Sequence, residues 1–187
     1  MRQITRNTQQ IVALAAVALL GFLLGACIYE SIVLVPNFAA DIPASLEHFR
    51  AFMKASNPGI FFRTVAPATQ VVLLAALLLS WRQGSVRRWY LIAVVLLVAL
   101  DVVTFTFHYP RNAFLFTAPL MQRPEELAQA VQEWGWGNLV RIALLSGALI
   151  SALRALWLVA LQRAAELSQQ SLLVALPQPA THFAGKG

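Results

Sequence analysis

Charged side chains are scarce in this chain of 187 residues. Only 12% of the residues are Asp, Glu, Lys or Arg, whereas 59% are hydrophobic. Soluble domains have about 25% charged and about 45–50% apolar residues, so this composition excludes an ordinary soluble domain. With 11 Phe and 5 Trp, the chain also has too much apolar surface to be disordered. We therefore expect the lipid bilayer to be its principal partner.

Cysteine is almost absent as well. The single Cys27 excludes an internal disulfide and dithiol chemistry, and with them the quinone-linked thiol oxidoreductases built on four membrane helices. The net charge of +6 does not indicate nucleic-acid binding, because the basic residues lie between apolar runs and form no stripe. The sequence also contains no glycine-rich phosphate loop, nucleotide fingerprint or Ser-His-Asp arrangement.

Four long apolar runs are present, and each supplies the roughly 20 helical residues that cross a bilayer core of about 30 Å. The predicted fold is an all-α, integral-membrane four-helix bundle forming one domain over residues 1–176. The Pro- and Gly-containing tail, 177–187, is predicted to be disordered. The predicted spans are residues 11–35, 58–81, 89–108 and 138–161.

The orientation follows from Lys and Arg near the span ends, because these residues stay on the cytoplasmic side. Both termini are predicted to be cytoplasmic, in the bacterial cytoplasmic (inner) membrane. The two longer connections, 36–57 and 109–137, then lie outside. Each is predicted to contain a short amphipathic helix, one around residues 45–53 and one opening at Pro124. The basic residues used are Arg2, Arg6, Arg82, Arg87, Arg88, Arg163 and Lys186.

Small residues in the first and fourth spans allow two interpretations. Gly21 with Gly25, and Gly147 with Ser151, have the spacing of helix-packing motifs and offer faces for a homo- or hetero-oligomer. Packing within the chain explains them with fewer assumptions. The segment ending at Cys27 also resembles a lipoprotein cleavage box, but the apolar run continues past it, which favours a packed residue over a lipidation site.

Ionisable residues inside a span cost about 2.5–3.5 kcal/mol each on insertion scales, so they usually have a partner or a task. Their depths place most of them in the outer half of the predicted bundle. Asp101, Thr104 and His108 share one face of the third span. All four spans therefore converge on one polar zone. The intramembrane polar residues are Glu30, Arg63, Gln70, Asp101, Thr104, His108, Arg141 and Arg154.

Two interpretations of this zone remain open. In the first, Glu30 and Asp101 form buried ion pairs with Arg63 and Arg141 that fix the helix order. In the second, a pocket opens outward, with a carboxylate or His108 as proton acceptor and an arginine as anion clamp. Aromatic residues at the same depth would line a flat substrate's site or form an ordinary interfacial belt. These residues include Tyr29, Phe61, Phe62, Phe105, Phe107, Tyr109, Trp134 and Trp136.

A metal site is the weaker alternative. His48 and His108 with Glu30 and Asp101 would suit iron or copper, since two histidines and a carboxylate are a common ligand set for these metals. However, the sequence contains no H-x-x-x-H or E-x-x-H spacing. The prediction is therefore a site without a cofactor.

Particular residues resemble a known family. A glycine-containing first span running into Pro36, Asn112 after the third span, and Trp134 with Arg141 leading into the fourth resemble the anthrone oxygenase-like family of small membrane proteins. The resemblance covers about Gly21 to Leu161.

The resemblance implies a cofactor-free oxygenase acting on a lipophilic aromatic or quinone-like substrate. It implies His108 or Asp101 as the base, Arg141 with Asn112 as the enolate clamp, and Trp134 as a stacking wall. Glu30 completes the predicted catalytic set, and Arg63 and Tyr29 the predicted substrate-binding set. Segments such as Tyr29-Glu30 look like a bacterial branch, for which the activity does not follow from membership. The alternative function is a non-catalytic membrane subunit or scaffold.

Overall fold

A computed structural model describes residues 2–117, 119 and 124–175, with side chains for 7–117, 119 and 124–172. All secondary structure in this part of the chain is helical. The predicted disordered tail, 177–187, lies outside the described residues. The α-helices are α1 (Arg2–Tyr29), α2 (Val35–Ala39), α3 (Ala44–Phe52), α4 (Pro58–Leu79), α5 (Gly84–Val103), α6 (Tyr109–Asn112) and α7 (Pro124–Ala175). Three π-helical turns are also present. π1 (Glu30–Leu34) lies between α1 and α2, π2 (Thr104–His108) lies between α5 and α6, and π3 (Ala113–Thr117) follows α6.

Four helical segments are long and apolar enough to cross a membrane. Large apolar side chains on their outer surfaces are exposed, and Leu78, Val95 and Ile150 each expose more than 60% of their area. In water such a surface would be unfavourable, whereas lipid solvates it. The chain is therefore a multi-pass membrane protein, and the predicted all-α fold with four membrane helices is confirmed. The segments are Asn7–Ala39, Pro58–Leu79, Gly84–Thr117 and Pro124–Leu172.

The four long helices pack as a ring in the order α1, α4, α5, α7, with α7 closing against α1. Their shared interior, the bundle core, is rich in alanine, which lets membrane helices approach closely. The larger core side chains include Leu20, Leu73 and Tyr90. The alanines of the bundle core are Ala13, Ala16, Ala76, Ala93, Ala148, Ala152 and Ala155.

A second apolar cluster covers one end of the bundle. In this cap cluster, α2, α3 and π3 pack against the first turns of α7. Phe38 is its centre, because its ring meets the rings of Phe49, Phe116 and Trp134 edge-to-face at centroid distances of 5.2–5.9 Å. The short helix predicted around residues 45–53 is thus present as α3. Its buried Leu46 and half-buried Phe49 face the cluster.

Two π-helical turns carry the first and third spans past their predicted ends. In π1 the Val35 N–H bonds to the Glu30 carbonyl, and in π2 the Tyr109 N–H bonds to the Thr104 carbonyl, five residues back in each case. A proline follows immediately each time, at positions 36 and 110. Proline lacks an N–H and crowds the preceding turn, and the wider turn accommodates it. The predicted ends at 35 and 108 are therefore too early, because the helices continue to Ala39 and Thr117.

The second predicted outer connection is mostly helical. Helix α7 begins at Pro124 and runs without interruption to Ala175. The amphipathic stretch predicted as a separate short helix is therefore the first part of the fourth span. With 52 residues at 1.5 Å each, α7 is about 78 Å long, so it extends well beyond a bilayer core of about 30 Å.

The predicted small-residue faces have different surroundings. A side chain added at Gly21 or Gly25 would meet nothing within 4 Å, so close packing within the chain is wrong for this pair. At Gly147 an added side chain would lie 3.0 Å from Leu96, and Ser151 is buried and donates to the Gly147 carbonyl. The Gly147–Ser151 face is thus used inside the bundle, as packing within the chain predicts. Cys27 is buried in the bundle core.

Candidate functional site

A cavity of about 940 Å³ lies where the bundle core meets the cap cluster. All four long helices contribute to its wall, as do α2, α3, α6, π2 and π3. Its volume is within the range of about 300–1,000 Å³ for small-molecule sites. Seven of the eight predicted site residues line it. They are Glu30, Arg63, Asp101, His108, Asn112, Trp134 and Arg141.

Tyr29 is the predicted site residue that the structure places elsewhere. Its side chain is 55% exposed and does not line the cavity. The neighbouring Glu30 points inward because adjacent residues of a helix lie about 100° apart. Tyr29 is therefore not part of this cavity.

Glu30 and Arg141 form a buried ion pair at the cavity wall. Arg141 Nη1 lies 3.5 Å from Glu30 Oε2, and both side chains are 8% exposed. Arg141 Nη1 also donates to Asn138 Oδ1 at 3.1 Å, and its guanidinium carbon lies 4.7 Å from the centroid of the Phe62 ring. Arg141 Nε has no hydrogen-bond partner among the described residues. The pair thus keeps a donor free beside the cavity.

Asn138 fixes this arginine to the first span. Its Nδ2 donates to the Cys27 carbonyl and to Ser31 Oγ, both at 2.9 Å. The amide is completely buried and therefore needs these partners. Sequence reasoning treated Asn138 only as the start of a span. Its position three residues before Arg141, on the same helical face, was the signal that could have identified it.

His108 is the last residue of π2 and is 1% exposed. Neither ring nitrogen makes a hydrogen bond of ordinary geometry within the described part of the chain, although the backbone of Gly137 is close. The imidazole meets the Trp134 ring edge-to-face, with centroids 5.2 Å apart and planes at 88°. A buried imidazole without hydrogen bonds is costly.

Gly137 makes room for the imidazole on α7. A Cβ atom at this position would lie 2.4 Å from Cε1 of Phe107 and 3.0 Å from Nε2 of His108. Any side chain there would therefore push π2 away from α7. This requirement was not predicted, because the glycine has ordinary helical backbone angles and only the close approach shows its role.

Trp134 is held by a polar contact as well as by packing. Its indole N–H donates to Asn112 Oδ1 at 2.7 Å, and the side chain is 4% exposed. Asn112 ends α6, the short helix between π2 and π3. The two π-helical turns thus bring His108 and Asn112 to the same indole, one at its ring and one at its N–H.

The predicted pairing of Asp101 with an arginine is wrong. Asp101 Oδ2 instead accepts a hydrogen bond from Gln70 Nε2 at 2.6 Å, between α5 and α4. Arg63, one turn into α4, is exposed at the rim of the cavity and makes no ion pair in the described part of the chain. The interpretation of the polar zone as two ion pairs therefore holds only for Glu30 and Arg141.

Arg50 ties the cap to the cavity. From α3 its Nε donates to the Leu115 carbonyl at 2.9 Å, two residues before π3 ends, where the last carbonyls of a helix have no partner within the helix. Partial burial lowers the pKa of this guanidinium, and the nearby Glu47 raises it. The sequence gives no signal for this role of Arg50, because its partner is a backbone carbonyl 65 residues away in the chain.

Arg111 makes a second contact across the cap. Its Nε and Nη2 donate to Glu133 Oε2 at 3.0 and 2.6 Å, joining α6 to α7. Its guanidinium carbon also lies 3.5 Å from the centroid of the Phe107 ring. The ring beside His108 is therefore held between Arg111 and Gly137.

The alternative metal ligands are not brought together. His48 is exposed on α3 and does not line the cavity that contains His108, Glu30 and Asp101. Within residues 2–117, 119 and 124–175, no three His, Cys, Asp or Glu side chains are grouped to hold a metal ion. The iron or copper alternative therefore lacks the ligand geometry that it needs.

The fold and the cavity together define a four-helix membrane protein with a polar, aromatic-walled chamber at one end of its bundle. No curated protein and no solved structure matches the chain. The family comparison does match, since the anthrone oxygenase family covers residues 49–151, more than half of the sequence. The chain belongs to the anthrone oxygenase family, as the resemblance implied.

Proposed function

We propose that this protein is a membrane oxygenase that deprotonates a lipophilic aromatic substrate in the cavity and lets the resulting carbanion react with dioxygen. One observation carries the proposal. A buried histidine, His108, lines a small-molecule cavity together with a buried cation, Arg141. Membership of the anthrone oxygenase family supports this reaction class.

The reaction can be written for an anthrone as substrate. A base removes a proton from the methylene carbon opposite the ketone, and the negative charge spreads over the ring system onto the ketone oxygen. The carbanion forms a carbon–oxygen bond with dioxygen, and the peroxide takes up a proton. Loss of the second methylene proton and cleavage of the oxygen–oxygen bond then release water. One anthrone and one dioxygen thus give one anthraquinone and one water.

The residues of the cavity have separate tasks in this proposal. His108 accepts the first proton, because its imidazole lies at the cavity wall and makes no ion pair in the described part of the chain. Arg141 stabilises the enolate oxygen, and Asn138 and Glu30 position the guanidinium. Trp134 provides an aromatic wall. No cofactor is required, since the carbanion itself supplies the electrons to dioxygen.

The alternative function, a non-catalytic subunit or scaffold, predicts that every buried polar group is paired. Glu30 and Arg141 form an ion pair, but Arg141 Nε has no hydrogen-bond partner among the described residues, and His108 makes no ion pair there. Buried polar groups with unused hydrogen-bonding atoms at the wall of a small-molecule cavity are more typical of a binding site than of a purely structural contact. This difference favours the enzyme.

The test is oxygen consumption and anthraquinone formation with anthrone as substrate, using protein purified in mild detergent at neutral pH. We expect turnover above the enzyme-free rate, and a loss of about 100-fold or more in His108→Gln. Arg88→Gln is the matched control, since Arg88 is exposed at the opposite end of α5. Equal rates for the folded His108→Gln variant and the unaltered protein would exclude His108 as the base.

We also propose that both termini are cytoplasmic, so that the cavity opens at the outer face of the bacterial cytoplasmic membrane. A cysteine introduced at exposed Lys54, near the cavity, should react with an impermeant maleimide on intact cells. A cysteine at exposed Arg82, between α4 and α5, should react only after permeabilisation. Buried Cys27 should give little background. The reverse labelling pattern would invert the orientation.

A further inference from the structure

The charges around the cavity are unevenly compensated. Glu30 and Arg141 neutralise each other, and Asp101 accepts a hydrogen bond from Gln70. Two cations at the rim, Lys54 and Arg63, are exposed and make no ion pair among the described residues. Both nevertheless line the cavity. The rim therefore has two cations that make no ion pair among the described residues, in a cavity that also contains Arg50 and the Asp101 carboxylate.

The Arg63 guanidinium is positioned over the start of α4. A Cβ atom at Gly59 would lie 3.2 Å from Arg63 Nη1 and 2.9 Å from Asn57 Oδ1, so the absence of a side chain at this position makes room for both groups. Gly59 and Asn57 line the cavity as well. The arginine is thus folded back toward the cavity mouth, where its free donors can reach a bound molecule.

The interior below this rim has aromatic walls beside its polar groups. Phe38, Phe62 and Phe116 line it, with Trp134 next to His108. A ligand that fits both the cationic rim and the aromatic interior has a flat apolar ring system and an acid at one end. Arginine and lysine at a rim bind a carboxylate by charge-assisted hydrogen bonds.

We propose that the cavity takes an aromatic acid, with its rings among the phenylalanines and its carboxylate between Arg63 and Lys54. This inference rests on the proposed function, which places the aromatic rings of the substrate in the cavity. It adds the class of substrate, an aromatic acid. The anion at the rim belongs to the ligand and not to a lipid headgroup, because the rim continues into an aromatic chamber. Neutral anthrones should therefore bind more weakly than their carboxylated counterparts.

The test is a binding experiment in phosphatidylcholine nanodiscs with two probes, an anthraquinone carboxylate and the neutral methylanthraquinone. Both are already oxidised, so binding is measured independently of turnover. Quenching of tryptophan fluorescence reports occupancy, since Trp134 lines the cavity. We expect the carboxylate to bind about fivefold more tightly, as for partly exposed charge contacts, and the preference to fall with salt.

Variants test whether the rim residues cause the preference for the carboxylate probe. The double variant Lys54→Gln with Arg63→Gln should lose the preference and keep its affinity for methylanthraquinone. Arg88→Gln removes one positive charge at the other end of the bundle and should keep the preference. A preference that survives in the double variant, or its absence in the unaltered protein, would overturn the inference.

The remaining outcomes separate this inference from the proposed function. If neither probe binds, the cavity is not an aromatic site and the inference fails. If both probes bind equally while anthrone is still turned over, the inference fails and the proposed function stands. If adding phosphatidylglycerol to the nanodiscs abolishes the preference, lipid phosphate occupies the rim and the inference is again overturned.

Discussion

Replacing Gly137 by alanine should displace the imidazole of the cavity without altering any polar group. The added methyl group would lie 2.4 Å from Cε1 of Phe107, whereas ordinary contacts are at 3.4–4 Å, so the ring must move by about 1 Å. Arg111 also packs against this ring, with its guanidinium carbon 3.5 Å from the ring centroid, and is itself paired with Glu133. The strain should therefore be transmitted to the adjacent His108.

The cost of the steric overlap at Gly137 can be isolated by comparison with a second glycine of α7. A methyl group at Gly135 would meet nothing within 4 Å. Both changes increase helix propensity by about 0.8–1.0 kcal/mol, so this contribution cancels in the comparison. The remaining difference is the cost of overpacking, about 1–3 kcal/mol. We expect Gly135→Ala to be neutral or stabilising and Gly137→Ala to be less stable than Gly135→Ala by that amount.

The free energy of unfolding can be measured by SDS titration in mixed micelles, followed by tryptophan fluorescence. Anthrone turnover is measured on the same preparations. Because misplacing a catalytic group by about 1 Å can cost about 100-fold, Gly137→Ala should lose most activity under conditions in which it is folded. Equal unfolding free energies and equal rates for the two alanine variants would refute the close approach of π2 to α7.

Three further predictions concern polar contacts. Glu30→Gln and Arg141→Met should each lower the free energy of unfolding by about 3–5 kcal/mol, because one partner of the pair stays buried, and the double variant should lose less than their sum. Arg50→Met should cost about 1–3 kcal/mol, since it leaves the Leu115 carbonyl without this donor. Asn112→Ala should cost a similar amount and shift tryptophan fluorescence, because the indole N–H of Trp134 loses its acceptor.

Each of these predictions has a result that contradicts it. Strict additivity in the Glu30 and Arg141 cycle would mean that the two groups do not interact. For Arg50, the control is Arg88→Met at an exposed site, and equal stability of both variants would remove the proposed anchor. For Asn112, the control is Asn37→Ala, whose exposed side chain bonds to the nearby Val33 carbonyl. Equal stability and equal tryptophan spectra of the two variants would contradict the contact of Asn112 with Trp134.

The spanning helices could be predicted because hydropathy and length depend on local sequence alone. The four apolar runs correspond to the four candidate membrane spans, although the first, third and fourth extend further than predicted. The ends were missed at Pro36 and Pro110, where proline normally stops a helix and here follows a π-helical turn. Nothing in the periodicity of the apolar residues marks a turn of five residues.

The convergence of the polar residues on one end could also be predicted, because depth in a helix is a count of residues. Their partners could not, since pairing depends on rotations and side-chain lengths that a count does not contain. Asp101 accepts a hydrogen bond from Gln70 and not from Arg63. Tyr29 was placed in the site for its depth alone and lies on the outer surface.

The π-helical turns also determine what the insertion or deletion of a single residue does to the site. A π-helical turn behaves as an α-helix with one residue inserted, so everything after it is rotated by about 100° relative to a regular helix. A relative that lacks one residue within Thr104–His108 could keep the same bundle core and the same membrane span. It would, however, present a different side chain toward Trp134. Gain or loss of a single residue at such a turn is thus a route by which a family with one common architecture can exchange the group at the end of its chamber.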